Sequence, residues 1–102
     1  MIARIWHGVT PVDKADEYLR FTRAKAIPDY QSVPGNQGAF VLRRLEGDKA
    51  HFLTLSFWDS LESIKGFAGN NLEEAKYYAE DSDFLEEFEP TVQHYELYDT
   101  AG

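Results

Sequence analysis

Between residues 51 and 58 the chain reads HFLTLSFW, with large apolar groups at both odd and even positions. Side chains of a strand alternate between faces, so His51, Leu53, Leu55 and Phe57 share one side while Phe52, Thr54, Ser56 and Trp58 share the other. A sheet wetted on one side should read apolar on one face and polar on the other. Here both faces ask for cover.

The remaining pattern supplies partners for that strand. Residues 2–9 alternate as a first strand, with Ala3, Ile5 and His7 on one face and Ile2, Arg4 and Trp6 on the other. Ala15, Tyr18, Leu19, Thr22 and Ala26 recur at helical spacing, which predicts a helix over 13–26 with Asp13 as N-cap and Pro28 as its stop or kink. After a turn at 33–36, strands over 38–45 and 50–58 form a hairpin around residues 46–49, with Leu45 opposite Ala50. Asp59 to Glu62 has the form of a capping box, and Leu61, Ile64, Phe67 and Ala68 form an apolar stripe that ends at Gly69. Residues 70–89 predict irregular chain with short helical turns, and 91–98 a last strand.

The order strand, helix, strand, strand, helix, strand predicts an α+β fold, the ferredoxin-like split βαββαβ arrangement with an antiparallel sheet and both helices on one face. The helices are expected over the face that carries His7, Leu42, Arg44, His51, Leu53 and Leu55. Trp6, Val41, Phe52 and Trp58 are then left on an open face. Exposed apolar patches mark interfaces, so a homodimer built sheet on sheet is expected, with those four residues at or beside the contact.

Composition narrows the functional classes. A chain of 102 residues with 15% aromatic and 27% charged residues makes one ordered domain, 1–102, with disorder confined to the last few positions. A net charge of −8 disfavours nucleic acid and anionic membranes as partners. Eight of the eighteen acids fall between Glu73 and Glu89, a run that reads as a solvated face. No cysteine is present, so disulfides, thiolate metal sites and cysteine nucleophiles are excluded. The N-terminus has neither a signal-peptide core nor a membrane span, and the cytoplasm is the expected location.

Candidate chemistry centres on His7, His51 and His94. Strand one should lie between strands three and four, which lets His7 approach His51, with Arg44 near both. An imidazole, with an ordinary pKa of about 6.5, suits proton abstraction from an activated phenol or carbon acid. The alternative is that these are hydrogen-bonded strand-end histidines. A metal site is not expected, because no close HxH or HxxxH spacing occurs and three strands would have to converge. Phosphate loops, serine-nucleophile motifs and paired carboxylates are also missing from the sequence.

The runs ARIWHGVTP, LSFWDSLESIKGFAG, YYAEDSDFLEE and PTVQHYELYD, in that order over residues 2–98, resemble the antibiotic biosynthesis monooxygenase (ABM) domain family. The resemblance implies a dimeric α+β barrel and a small apolar or aromatic ligand in a helix-sheet pocket, oxidised with oxygen and no cofactor, or bound without chemistry. It implies His7 as base or hydrogen-bond partner, Arg44, His51 and Tyr77 assisting, and Phe67, Tyr78, Leu53 and Leu55 against the ligand. The haem-degrading branch of that family has an Asn, a Trp and an iron-ligating His where this chain has His7, Phe67 and Tyr77. That departure disfavours haem as a cofactor.

Overall fold

The computed structural model describes residues 1–98; the expected disorder of the last few residues lies outside them. Strand β1 (Ile2–Pro11) runs antiparallel to both β3 (Lys49–Trp58) and β4 (Gln93–Glu96), and β2 (Asn36–Glu46) pairs with β3, giving the order β2-β3-β1-β4. The element order implied this ferredoxin-like α+β sheet, and the hairpin register places Leu45 opposite Ala50. Glu46 and Lys49 also pair, so the turn itself is only Gly47 and Asp48. Gly47 has φ 60°, as the first position of a type II′ hairpin turn requires.

Helix α1 (Ala15–Phe21) does not stop near Ala26. It passes through a π-helical stretch (Thr22–Ala26) into α2 (Ile27–Gln31), and the Ile27 N–H donates to the Thr22 carbonyl across the widened turn. Pro28 would press its ring on the carbonyl four residues back in a regular helix, and the wider turn relieves that contact. Helix α3 (Leu61–Ala68) is capped by Ser60 and not by Asp59: Ser60 Oγ accepts from the Ser63 N–H at 3.2 Å. It ends at Gly69, with φ 82°. The following segment holds one 3-10 turn (Ala79–Asp83) and a bridge between Glu74 and Thr91. No helix among the described residues is long and apolar enough to cross a membrane.

The helices cover the opposite face from the one expected. Trp6, Phe52 and Trp58 are 5%, 0% and 0% exposed, and all three are core residues of this single chain, with Val41 packed beside them. Tyr18 meets Phe52 edge-on at 4.9 Å between ring centres, and Tyr30 stacks on Phe67 at 4.1 Å beside Trp58. These four residues are therefore not anchors of an open face.

The reason is volume and not the number of apolar positions. Ala39 and Ala50 leave room on this face for the helical aromatics, and the Trp58 indole finds a partner inside, its Nε1 donating to Ser56 Oγ at 2.9 Å. Phe40, Leu42, Leu53, Leu55 and Phe57 lie on the uncovered face, where Phe40 is 56% exposed.

Candidate functional site

His51 pairs with Val9 and His7 with Leu53, so the two histidines are diagonal neighbours on the uncovered face of adjacent strands. Their rings lie end to end in nearly one plane, 5.4 Å between centres and 16° apart, with His7 Nε2 at 3.1 Å from His51 Nδ1. On the far side, His7 Nδ1 lies 2.5 Å from Glu89 Oε2. His51 Nε2 stands 4.0 Å from Glu46 Oε2. The result is a line of two imidazoles with a carboxylate at each end.

The carboxylate fixes the tautomers. An ionised Glu89 can only accept, so His7 Nδ1 carries the proton and His7 Nε2 of the neutral ring is an acceptor. His51 Nδ1 must then donate to it, which leaves His51 Nε2 with the free lone pair. A proton taken there creates an imidazolium held by His7 and flanked by Glu46.

The segment that delivers Glu89 is fastened to the end of β1. The Glu86 N–H donates to the Val9 carbonyl at 2.9 Å, and Lys49 Nζ reaches Glu86 Oε2 at 2.6 Å. The Tyr77 hydroxyl donates to the Glu89 carbonyl, and its ring meets Phe88 at 4.8 Å. Burial beside Glu89 pushes the Tyr77 phenol above its ordinary pKa, so it remains a donor.

Beside the histidines is a cavity of 280 Å³ lined by His7, Leu42, Arg43, Arg44, His51 and Leu53. Of the residues expected to form a site, His7, Arg44, His51 and Leu53 are thus brought together, on the uncovered face and not between helices and sheet. The Arg44 guanidinium is paired with Glu46, and Arg43 reaches Asp16 at 2.8 Å.

Leu55 is farther along β3 and does not line the cavity. Tyr77 acts on the Glu89 backbone and is not in contact with the imidazoles. Phe67 and Tyr78 lie across the sheet: Phe67 is in the core, and the Tyr78 hydroxyl donates to Asp29 Oδ2 at 2.6 Å. Glu89 and Glu46 were not among the expected residues, because one sits in an acid run and the other at a hairpin turn, and neither spacing distinguishes them from solvated acids.

No family model and no curated protein matches the chain. Among solved structures it is similar to a mutant of MhuD with two manganese protoporphyrin IX molecules bound per active site, at 19% identity and TM-score 0.56 over 100% of both chains. It is also similar to Rv0793 from Mycobacterium tuberculosis, at 16% identity and TM-score 0.58 over 99% of this chain and 98% of that one. At such identities the likeness is one of fold. The ferredoxin-like α+β architecture is shared with both proteins over essentially the whole length of the chain.

Proposed function

We propose that the chain binds a small apolar or aromatic molecule in the cavity beside His51 and removes a proton from it, acting as an ABM-type monooxygenase without metal or haem. The observation that carries this reading is the hydrogen-bonded line of Glu89, His7 and His51 ending on a free imidazole nitrogen at a leucine-walled cavity. His51 Nε2 takes the phenolic or enolic proton; His7 orients the ring, and Glu89 stabilises the charge that develops. The deprotonated substrate supplies the electrons for dioxygen. In the oxidation of an anthrone to a quinone, one oxygen atom enters the ring and the other leaves as water.

A second copy of the chain is the proposed cover for this face. Phe40, Leu42 and Tyr95 are large exposed apolar groups on it, and a stable sheet-on-sheet contact of roughly 1,200 Å² or more would exclude water from the cavity. Haem does not fit the residues between helices and sheet. Trp6 and Phe52 belong there to one packed cluster and Trp58, Tyr30 and Phe67 to another, and the Tyr77 hydroxyl is committed to the Glu89 carbonyl.

A non-catalytic binding dimer is favoured by one feature: Arg44, the guanidinium best placed to hold a phenolate, is paired with Glu46. Oxygen uptake with a panel of anthrones and hydroquinones separates the two readings. Uptake that falls in both His51→Ala and His7→Ala is the expected result. Uptake unchanged in His51→Ala removes the proposed base, and ligand binding with no uptake across the panel supports the binding module.

A further inference from the structure

A second group of polar atoms lies on the helix side of the sheet, apart from the histidine line. Arg4 and Trp6 share the inner face of β1, and His94 stands opposite Arg4 on β4. Arg4 is 0% exposed, yet no carboxylate among the described residues forms an ion pair with it. Its Nη1 donates to the Tyr30 hydroxyl and its Nη2 to the Glu74 carbonyl, each at 3.3 Å, and the guanidinium lies 5.2 Å from the centre of the Phe67 ring. Arg4 Nε and His94 Nε2 are buried with no hydrogen-bond partner among the described residues, while the nearby Trp6 Nε1 has only the Tyr77 hydroxyl within reach.

Each such orphan is destabilising, and a buried cation is ordinarily paired. Two orphans on directly paired positions of one face, Arg4 and His94, call for an occupant. Nε and Nη2 form one edge of the guanidinium, the edge that takes a carboxylate in two parallel hydrogen bonds. At present that edge meets only one carbonyl oxygen, that of Glu74.

We infer that Arg4, with Trp6 and His94 beside it, is the binding site for the carboxylate of a small ligand, and that the Glu74 carbonyl occupies the carboxylate's place when the ligand is absent. The ligand's body has a place next to it. Glu74, Ala75, Tyr77, Phe88 and Pro90 line a cavity of 470 Å³, and the Tyr77 ring stands 6.1 Å from that of Trp6.

Glu73 and Glu89 also line this cavity, so its rim repels highly charged anions and admits a monoanion with an apolar or aromatic body. Entry requires the Glu74 peptide to turn. The segment around it is held by the Ala75 N–H on the Pro90 carbonyl at 3.0 Å and the Val92 N–H on the Glu73 carbonyl at 2.8 Å, not by a helix. Glu89 borders both this cavity and the histidine line, but the Arg4 contacts involve neither imidazole, so either assignment can fail without the other.

Benzoate and inorganic phosphate, titrated into the full chain, test it, with the thermal midpoint and the Trp6 indole and Arg4 Nε–H resonances as readouts. Benzoate is expected to raise the midpoint saturably and to move both resonances, while phosphate does neither. Arg4→Met, which retains the volume without the charge, should weaken the response at least tenfold. Arg4→Lys, which retains the charge and loses the two-point edge, should weaken it too, and it serves if the Met variant does not fold. The proposal is overturned if benzoate at about 10 mM moves neither resonance, if the response persists in the variants, or if phosphate reproduces it. A crystal soaked in benzoate that shows only a water between Arg4 Nε and His94 Nε2 overturns it as well.

Discussion

The carboxylate of Glu89 meets the Nδ1 of His7 at 2.5 Å across 82 positions of sequence. Since this contact sets the tautomers of both imidazoles, Glu89→Gln should disturb them: an amide can donate as well as accept, and the His7 ring loses its fixed proton. Long-range proton–nitrogen spectra should show mixed tautomers at His7 and His51. Turnover of any confirmed substrate should fall by on the order of 10²-fold with little change in stability. Unaltered histidine spectra would remove Glu89 from the site.

The two faces of the sheet should answer differently to the same change. Phe40→Glu places a charge on the uncovered face and should leave a folded monomer if that face joins two copies. Phe52→Glu buries a charge in the core and should unfold the chain. Phe52→Ala should be destabilising by about 3–5 kcal/mol in urea titrations. Light scattering decides the assembly: wild-type protein that is monodisperse at 11.7 kDa would leave the uncovered face without its proposed partner.

Much of this fold is legible in the alternation of side chains. The parity of residues 2–9 and 38–58, together with the Leu45 and Ala50 pairing, carries the sheet order and even the approach of His7 to His51. What the pattern does not carry is which parity faces inward. Both are apolar, and the inward one is marked by small residues opposite large helical rings, a relation across 20 to 40 positions that no local window contains. Glu89 is hidden for a related reason: its role depends on where an irregular segment is pinned, by Tyr77 and Glu86.

His94 gives a pH dependence. Burial, and then the nearby Arg4 charge, push its pKa below the ordinary 6.5, with Glu73 acting in the opposite direction. The folded state thus disfavours the protonated ring. The contribution of His94 to stability is full above the ordinary imidazole pKa and is lost as pH falls through the lowered one. His94→Gln should flatten this part of the curve, so the wild type loses more of its thermal midpoint than the variant below pH 6.5. Parallel curves would show that folding does not lower the pKa of this imidazole.

Gly35 should tolerate no side chain. It has φ 93°, and a Cβ there would stand 2.4 Å from Ser63 Cβ and 2.8 Å from Asp59 Oδ1, at the start of α3. Gly35→Ala is expected to be destabilising by about 2–3 kcal/mol. Gly47→Ala, with φ 60° but nothing within 4 Å, should be destabilising only by the left-handed conformation, about 1 kcal/mol. Equal losses in urea titrations would mean that crowding at Ser63 is relieved freely.

The π-helical stretch at Thr22–Ala26 has an arithmetic consequence for chain length. Tyr18 and Tyr30 both turn toward the sheet, yet twelve residues make about 3.3 turns of regular helix, whereas eleven make about 3.1. The wide turn absorbs one residue and so restores the phase between the two tyrosines. Removing Ala24 should therefore leave both rings facing inward, provided that Pro28 is replaced by Ala in the same chain, because the proline then has no widened turn to occupy. Each change alone should be harmful or neutral, and together they should compensate: the helix stores a one-residue insertion, with Pro28 as its lock.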